Sequence, residues 1–175
     1  MGELFVRKAL ASDLERIVQI YWDAIDNMEN NGIHQWDKVV YPTRKDAESA
    51  LREGSLFVCL SEGRVEGTFI LNEEQARQYL PLPWKYNQGK ALVLHTLAVH
   101  PLAGGRGMGN FIMKYIYTHA IENGYSAIRL DTFRDNKGAM ALYGKAGYEY
   151  VGDIVFEHKR PGFQEGYVCF EIEVK

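Results

Sequence analysis

A chain of 175 residues, 46% of them hydrophobic, is long enough to enclose a sizeable core, and one domain over residues 1–175 is the expected organisation. A formal net charge of −3 with a sequence pI near 6.0 excludes the basic footprint of a nucleic-acid binder. No apolar run reaches the ~20 residues of a bilayer span and no charged-then-apolar leader opens the chain, so no membrane and a cytoplasmic location are expected.

In chain order, Glu3 to Lys8 reads as a first strand. Ser12 and Glu15 suggest a capping box opening a helix with Leu14, Ile17, Val18, Tyr21, Ala24, Ile25 and Met28 on one face, ending near Gly32. Thr43 and Asp46 mark a second helix start, with Gly54 at its end. Ser55–Leu60 and Val65–Leu71 flank Ser61-Glu62-Gly63-Arg64 as a hairpin. Residues 73–90 carry two prolines and no clean period, and are expected to form a long loop with one helical turn, a length common among functional loops. Ala91 to Val99 is a strand, Phe111 to Ala120 a helix stopped at Gly124, and Ser126 to Thr132 a strand. Asn136 to Ala146 is a helix, followed by strands near 148–156 and 167–173 with His158–Gly166 between them. Cys59 and Cys169 fall in apolar strands, as free buried thiols in a reducing compartment would. The five histidines show no ligand spacing, so no metal is expected.

Gly104-Gly105-Arg106-Gly107-Met108-Gly109 lies between a buried strand and an amphipathic helix. The first N–H groups of a helix have no partner within it, and its dipole favours negative charge there. Glycines bring the backbone close to a phosphate, so the pattern points to a phosphate-bearing ligand. Gly109 is followed by Asn110 and Phe111, where a Walker loop requires Lys and Ser or Thr. A dinucleotide fingerprint counted from Gly105 and Gly107 would need its third glycine at Asn110.

A second segment runs from Asp131 to Tyr148 and contains Asn136, Ala139, Leu142, Tyr143, Gly147 and Tyr148. Together the two segments resemble the GNAT superfamily of N-acetyltransferases, which use acetyl-CoA. Gly104-x-x-Gly107-x-Gly109 matches that family's Arg/Gln-x-x-Gly-x-Gly/Ala loop, and the later residues match Asn-x-x-Ala-x-x-Leu-Tyr followed by Gly-Phe/Tyr. Gly104 departs from the usual Arg or Gln, and Arg106 supplies a guanidinium within the loop. The resemblance implies an α/β fold whose mixed central sheet splays in the middle and is flanked by helices.

It also implies a site. The pantetheine arm would pair along Leu97-Ala98-Val99, a strand amide would polarise the thioester carbonyl, and the diphosphate would rest on residues 104–109 and Asn110. Asn136 stands at the family's cofactor-contacting position, a place where Asn also serves as a helix N-cap. Tyr143 takes the position of the general acid for the leaving thiolate. Full transfer from a phenol of pKa ~10 to a thiolate of pKa ~8.5 is uphill by about 2 kcal/mol, which favours hydrogen-bond stabilisation. His95 stands where many members carry a carboxylate and is the candidate base, with a buried structural histidine as its bland alternative. Deprotonating an alkylammonium with imidazole costs roughly 5 kcal/mol, so such a base acts best on the tetrahedral intermediate.

The acceptor side is read from Gln35-Trp36, after the first helix, and from Tyr79, Pro81, Pro83 and Trp84 in the second loop. Each aromatic there has packing as its alternative. Asp23, Asp26 and Glu29 would draw a cationic amine, or simply form a solvated face. The expected activity is transfer of acetyl from acetyl-CoA to a primary amine of a small molecule or peptide, by direct attack in a ternary complex. A non-catalytic acyl-CoA-binding domain on the same fold is the alternative, and a homodimer is allowed.

Overall fold

The computed structural model describes residues 3–157 and 164–175. Its described elements are β1 (Leu4–Lys8), α1 (Leu14–Asn30), α2 (Arg44–Arg52), β2 (Leu56–Ser61), β3 (Arg64–Asn72), β4 (Ala91–Val99), α3 (Met108–Glu122), β5 (Ala127–Phe133), α4 (Lys137–Lys145), β6 (Glu149–Glu157) and β7 (Gln164–Glu173). The strands order as β1-β2-β3-β4-β5-β7-β6 in a mixed sheet, the α/β class that alternating strands and helices imply. β4 and β5 pair in parallel from Ala91↔Ala127 to Leu94↔Leu130, a ladder shorter than either strand.

The residues cluster into two compact units, one formed by residues 1–71 and 95–112, the other by 72–94 and 113–175. In the first, β1, β2 and β3 form an antiparallel run. Ile17, Ile20, Tyr21, Ala47, Leu56, Val58 and Ala98 fill its core. Phe57 stacks on Phe69 at 5.4 Å between ring centres. In the second, β5 pairs β7 and β7 pairs β6, both antiparallel. Its core joins Tyr79, Trp84, Val93, Ile154 and Cys169. Both cysteines are free and buried, as their strand positions suggested.

Most boundaries fall within a residue or two of the sequence reading, and two differ in substance. The first helix is not opened by Ser12 and Glu15. A 3-10 turn over Ala11–Asp13 precedes Leu14, and Asp13 accepts the Leu10 N–H at 2.7 Å. The same carboxylate receives Arg7 at 2.6 and 3.1 Å, a partner that Glu15 lacks, and this fixes the helix entry at Asp13. The third helix starts at Met108, three residues before Phe111, so part of the glycine motif is its first turn. The second capping box stands as read: Asp46 Oδ2 accepts from the Thr43 N–H and hydroxyl, each at 2.7 Å. The loop over 73–90 contains one short helical turn, Arg77–Tyr79. Of the connection at His158–Gly166, residues 158–163 lie outside those described, and β7 begins at Gln164.

Candidate active site

The glycine loop belongs to the first unit. Gly105 and Gly107 have φ of +72° and +83°, a region L side chains rarely adopt, and no heavy atom lies within 4 Å of where a Cβ would stand. Gly104 to Gly107 are exposed, whereas Met108 is buried at 3%. The first helical hydrogen bond of α3 runs from Phe111 N–H to Gly107 O at 3.0 Å. The N–H groups of Met108, Gly109 and Asn110 therefore precede the ladder, at the positive end of the helix dipole. This open cradle fits a diphosphate. Arg106 lines a cavity of about 680 Å³ beside it, with Leu102, Ala103, Met108, Arg64 and His100 among the other walls.

Leu97, Ala98 and Val99 lie on the outgoing half of β4 in the same unit, with Ala98 buried and its neighbours half-buried. Just before them Thr96 takes φ +50°, an outlier for a β-branched residue, and its hydroxyl hydrogen-bonds the Tyr41 phenol. His95, adjoining this bend, is half-buried. Gln35 is buried at 9%, and Trp36 packs on the core beneath α1.

Tyr143 and Asn136 belong to the second unit. Asn136 Oδ1 accepts the Ala139 N–H at 3.0 Å, an N-cap of α4. Tyr143 is 6% exposed, with Tyr148 and Phe170 rings at 6.2 and 6.1 Å. Burial, then the negative charge of Asp131, pushes its phenol well above the ordinary 10. Proton transfer to a thiolate is thereby even further uphill, and hydrogen-bond donation is the chemistry this tyrosine can perform.

Trp84 is 9% exposed; its indole N–H donates to Tyr79 O at 2.8 Å, and the Tyr79 ring centre is 5.1 Å away. Tyr79 in turn donates its hydroxyl to Asp131 Oδ2 at 2.6 Å. Burial raises the Asp131 carboxyl to about 6, with the Tyr79 hydrogen bond opposing the rise. Asp131 carries no role in the sequence reading. Its one signal is an acid in a strand whose first residues, Ala127, Ile128 and Leu130, are apolar apart from Arg129.

With this geometry in view, comparison with known proteins is decisive. A model of the acetyltransferase (GNAT) family matches residues 14–148. The chain belongs to the GNAT acetyltransferase family. Its similarity to YesJ of Bacillus subtilis (strain 168), named an uncharacterized N-acetyltransferase, is 22% identity over 175 residues, covering 95% of this chain and 88% of that one. A GNAT-family acetyltransferase structure from Streptococcus agalactiae 2603 superposes with a TM-score of 0.80 at 18% identity, covering 100% of this chain and 98% of the other. The structure of yncA from Salmonella typhimurium, solved with its cofactor acetyl-CoA, gives 0.70 at 15% identity over 98% and 94% of the two chains. At these identities the likeness shows the fold. This GNAT protein is an acyltransferase, and acetyl-CoA is its co-substrate.

Proposed function

We propose that this GNAT enzyme transfers the acetyl group of acetyl-CoA to a primary amine of a small molecule or peptide, by direct attack within a ternary complex. The observation that carries the reading is the open, left-handed Gly105–Gly107 backbone leading into a helix whose ladder starts only at Phe111. Those amides, with Asn110 and Arg106, are the groups we assign to the diphosphate of coenzyme A. Leu97, Ala98 and Val99 are assigned to the pantetheine arm, which pairs as an added strand.

In the reaction the amine lone pair attacks the thioester carbon, the C–N bond forms, the C–S bond breaks and the thiolate leaves with the electron pair. Tyr143 donates a hydrogen bond to the sulfur as charge develops, and Asn136 orders the start of the helix that carries it. His95 receives the nitrogen proton from the tetrahedral intermediate, and the proton passes to solvent. A covalent acetyl-cysteine route has little support: burial raises Cys59 to about 11 and pushes Cys169 up as well, leaving neither as a thiolate. The same two free thiols support a reducing, cytoplasmic setting. Gln35 and Trp36 are assigned to the acceptor side, with Trp84 shaping the loop that carries Tyr79.

Thiol release from acetyl-CoA across a panel of primary amines tests the reading, with calorimetry of CoA against ATP and NAD. CoA binding with amine-dependent thiol release is the expected result. Binding without release from any amine would leave an acyl-CoA-binding domain instead.

A further inference from the structure

The glycine loop has little of its own to hold it. Gly104 to Gly107 are exposed, and a Cβ at Gly105 or Gly107 would meet nothing within 4 Å. Glycine loses more backbone freedom on ordering than any other residue, so the loop's shape is set where its two ends are anchored. Met108, 3% exposed, anchors the outgoing end. The incoming end is a 3-10 turn over Pro101–Ala103, and its anchor is His100.

His100 is bonded at four atoms, all within the first unit. Its N–H donates to Glu66 O on β3 at 2.8 Å, and its carbonyl accepts the Ala103 N–H at 2.8 Å. The imidazole makes the other two bonds. The Leu102 N–H meets Nδ1 at 3.3 Å, and an amide N–H only donates, so Nδ1 accepts and the ring proton is on Nε2. Nε2 in turn donates to Asp23 Oδ2 on α1 at 3.1 Å. Asp23 is itself oriented, since its Oδ1 accepts from Gln19 at 2.8 Å. Glu66 Oε2, 3.7 Å from Nδ1, is beyond hydrogen-bond reach of the ring and is taken by Arg16 at 2.6 Å. The turn so closed is tight: Gly104 N–H donates to Pro101 O at 3.1 Å, and a Cβ on Gly104 would stand 3.1 Å from that oxygen. A side chain there would have to push the carbonyl aside, a physical reason for glycine where the family pattern carries Arg or Gln.

We propose that His100 is a positioning residue for coenzyme binding: tied to Asp23, its imidazole holds the Leu102 amide and so presets the turn that delivers Gly104–Gly107 to the diphosphate. The inference rests on the assignment of the CoA diphosphate to this loop, and it adds two residues that act through the loop. A loop already ordered loses less freedom when its ligand arrives, so loosening the incoming end weakens binding and leaves the reacting groups as they were.

The test is calorimetry of CoA with the full chain, accompanied by turnover at saturating acetyl-CoA with the best acceptor of the amine panel. His100→Ala removes both ring bonds and is expected to weaken CoA binding about five-fold or more, the loss of a capping bond. His100→Asn returns an oxygen that accepts the N–H two residues on, the turn Asn favours before proline, and should recover part of that loss. Asp23→Ala leaves the ring untethered and should weaken binding about two- to five-fold. Turnover at saturation should stay within about two-fold of the parent in all three. Thr43→Ala, which removes the hydroxyl bond to Asp46 at the start of α2, is the control for stability alone and should bind CoA as the parent does. Parental affinity in His100→Ala or in Asp23→Ala, or an asparagine variant as weak as the alanine one, overturns the proposal. Thr43→Ala weakened as much as His100→Ala also overturns it, as does turnover at saturation that falls in step with affinity. Should His100→Ala not fold, Asp23→Ala decides, and parental affinity there overturns the positioning role. A Gly107→Glu chain that binds CoA at parental affinity takes the diphosphate off the loop and ends both readings. Weakened binding in that chain, beside parental binding in the His100 and Asp23 variants, ends this one alone.

Discussion

The guanidinium carbon of Arg129 lies 4.4 Å from the centre of the Trp84 ring, and the same indole donates its N–H to the Tyr79 carbonyl. A loop of low regularity is thereby closed on itself by the hydrogen bond and tied to the sheet by the cation–π contact with Arg129 of β5 and by an apolar core. Trp84→Ala removes all three and is expected to cost about 3–5 kcal/mol of stability. Trp84→Phe keeps most of the buried surface but loses the N–H bond, for about 1–2 kcal/mol. Urea denaturation of the two variants measures the difference, and equal losses would reduce the indole N–H to a spectator.

The cradle at Gly107 separates strain from charge. With φ at +83° and nothing within 4 Å of a Cβ, Gly107→Ala meets only the backbone penalty of about 1–2 kcal/mol. Gly107→Glu adds an anion where a diphosphate is assigned. CoA affinity should fall a few-fold in the first variant and at least about ten-fold further in the second. The gap should narrow at high salt, since the carboxylate is exposed to screening. Calorimetry that finds the glutamate variant binding as tightly as the alanine one would take the phosphates away from this loop.

Tyr143→Phe should lower turnover by about ten- to a hundred-fold while acetyl-CoA affinity holds, the pattern of a group that acts mainly as the thiolate forms. The phenol is driven up by burial and by Asp131, so it remains protonated throughout the working pH range. The alkaline limb of the rate profile should accordingly carry no step removed by the substitution. A variant with parental turnover would make Tyr143 a packing residue alone.

What could be read before any coordinates were seen follows from how local each signal is. The Thr43–Asp46 box, the turn at Ser61–Arg64 and the Asn136 cap are contacts within four residues, and spacing reveals them. The entry to α1 escaped because Arg7, six residues from Asp13, decides which acid caps it. Thr96 reads as ordinary strand, since its left-handed turn is tied to Tyr41, 55 residues distant. Asp131 escaped for the same reason. A single aspartate acquires meaning from a tyrosine 52 positions earlier, whose hydroxyl it accepts. The motif residues of the loop and of α4 were legible as types in order, while the charge balance around them depends on pairings that no periodicity encodes.

Asp13 and Asp131 pull stability in opposite directions as pH changes. The Arg7 guanidinium holds the Asp13 carboxyl below the usual carboxylate range, so its contribution is present above the unfolded pKa of ~3.9 and is lost as pH falls through the lower folded value. Burial holds Asp131 near 6, above its unfolded value, so its contribution is complete below ~3.9 and disappears as pH rises through about 6. Asp131→Asn keeps an oxygen for the Tyr79 hydroxyl and removes the charge. It is therefore expected to stabilise the folded chain at pH 7.5, by about 1–3 kcal/mol, and to change little at pH 4.5. Asp13→Asn should do the reverse, destabilising at pH 7.5 with an effect that shrinks in acid. Paired denaturation curves at the two pH values check both signs at once.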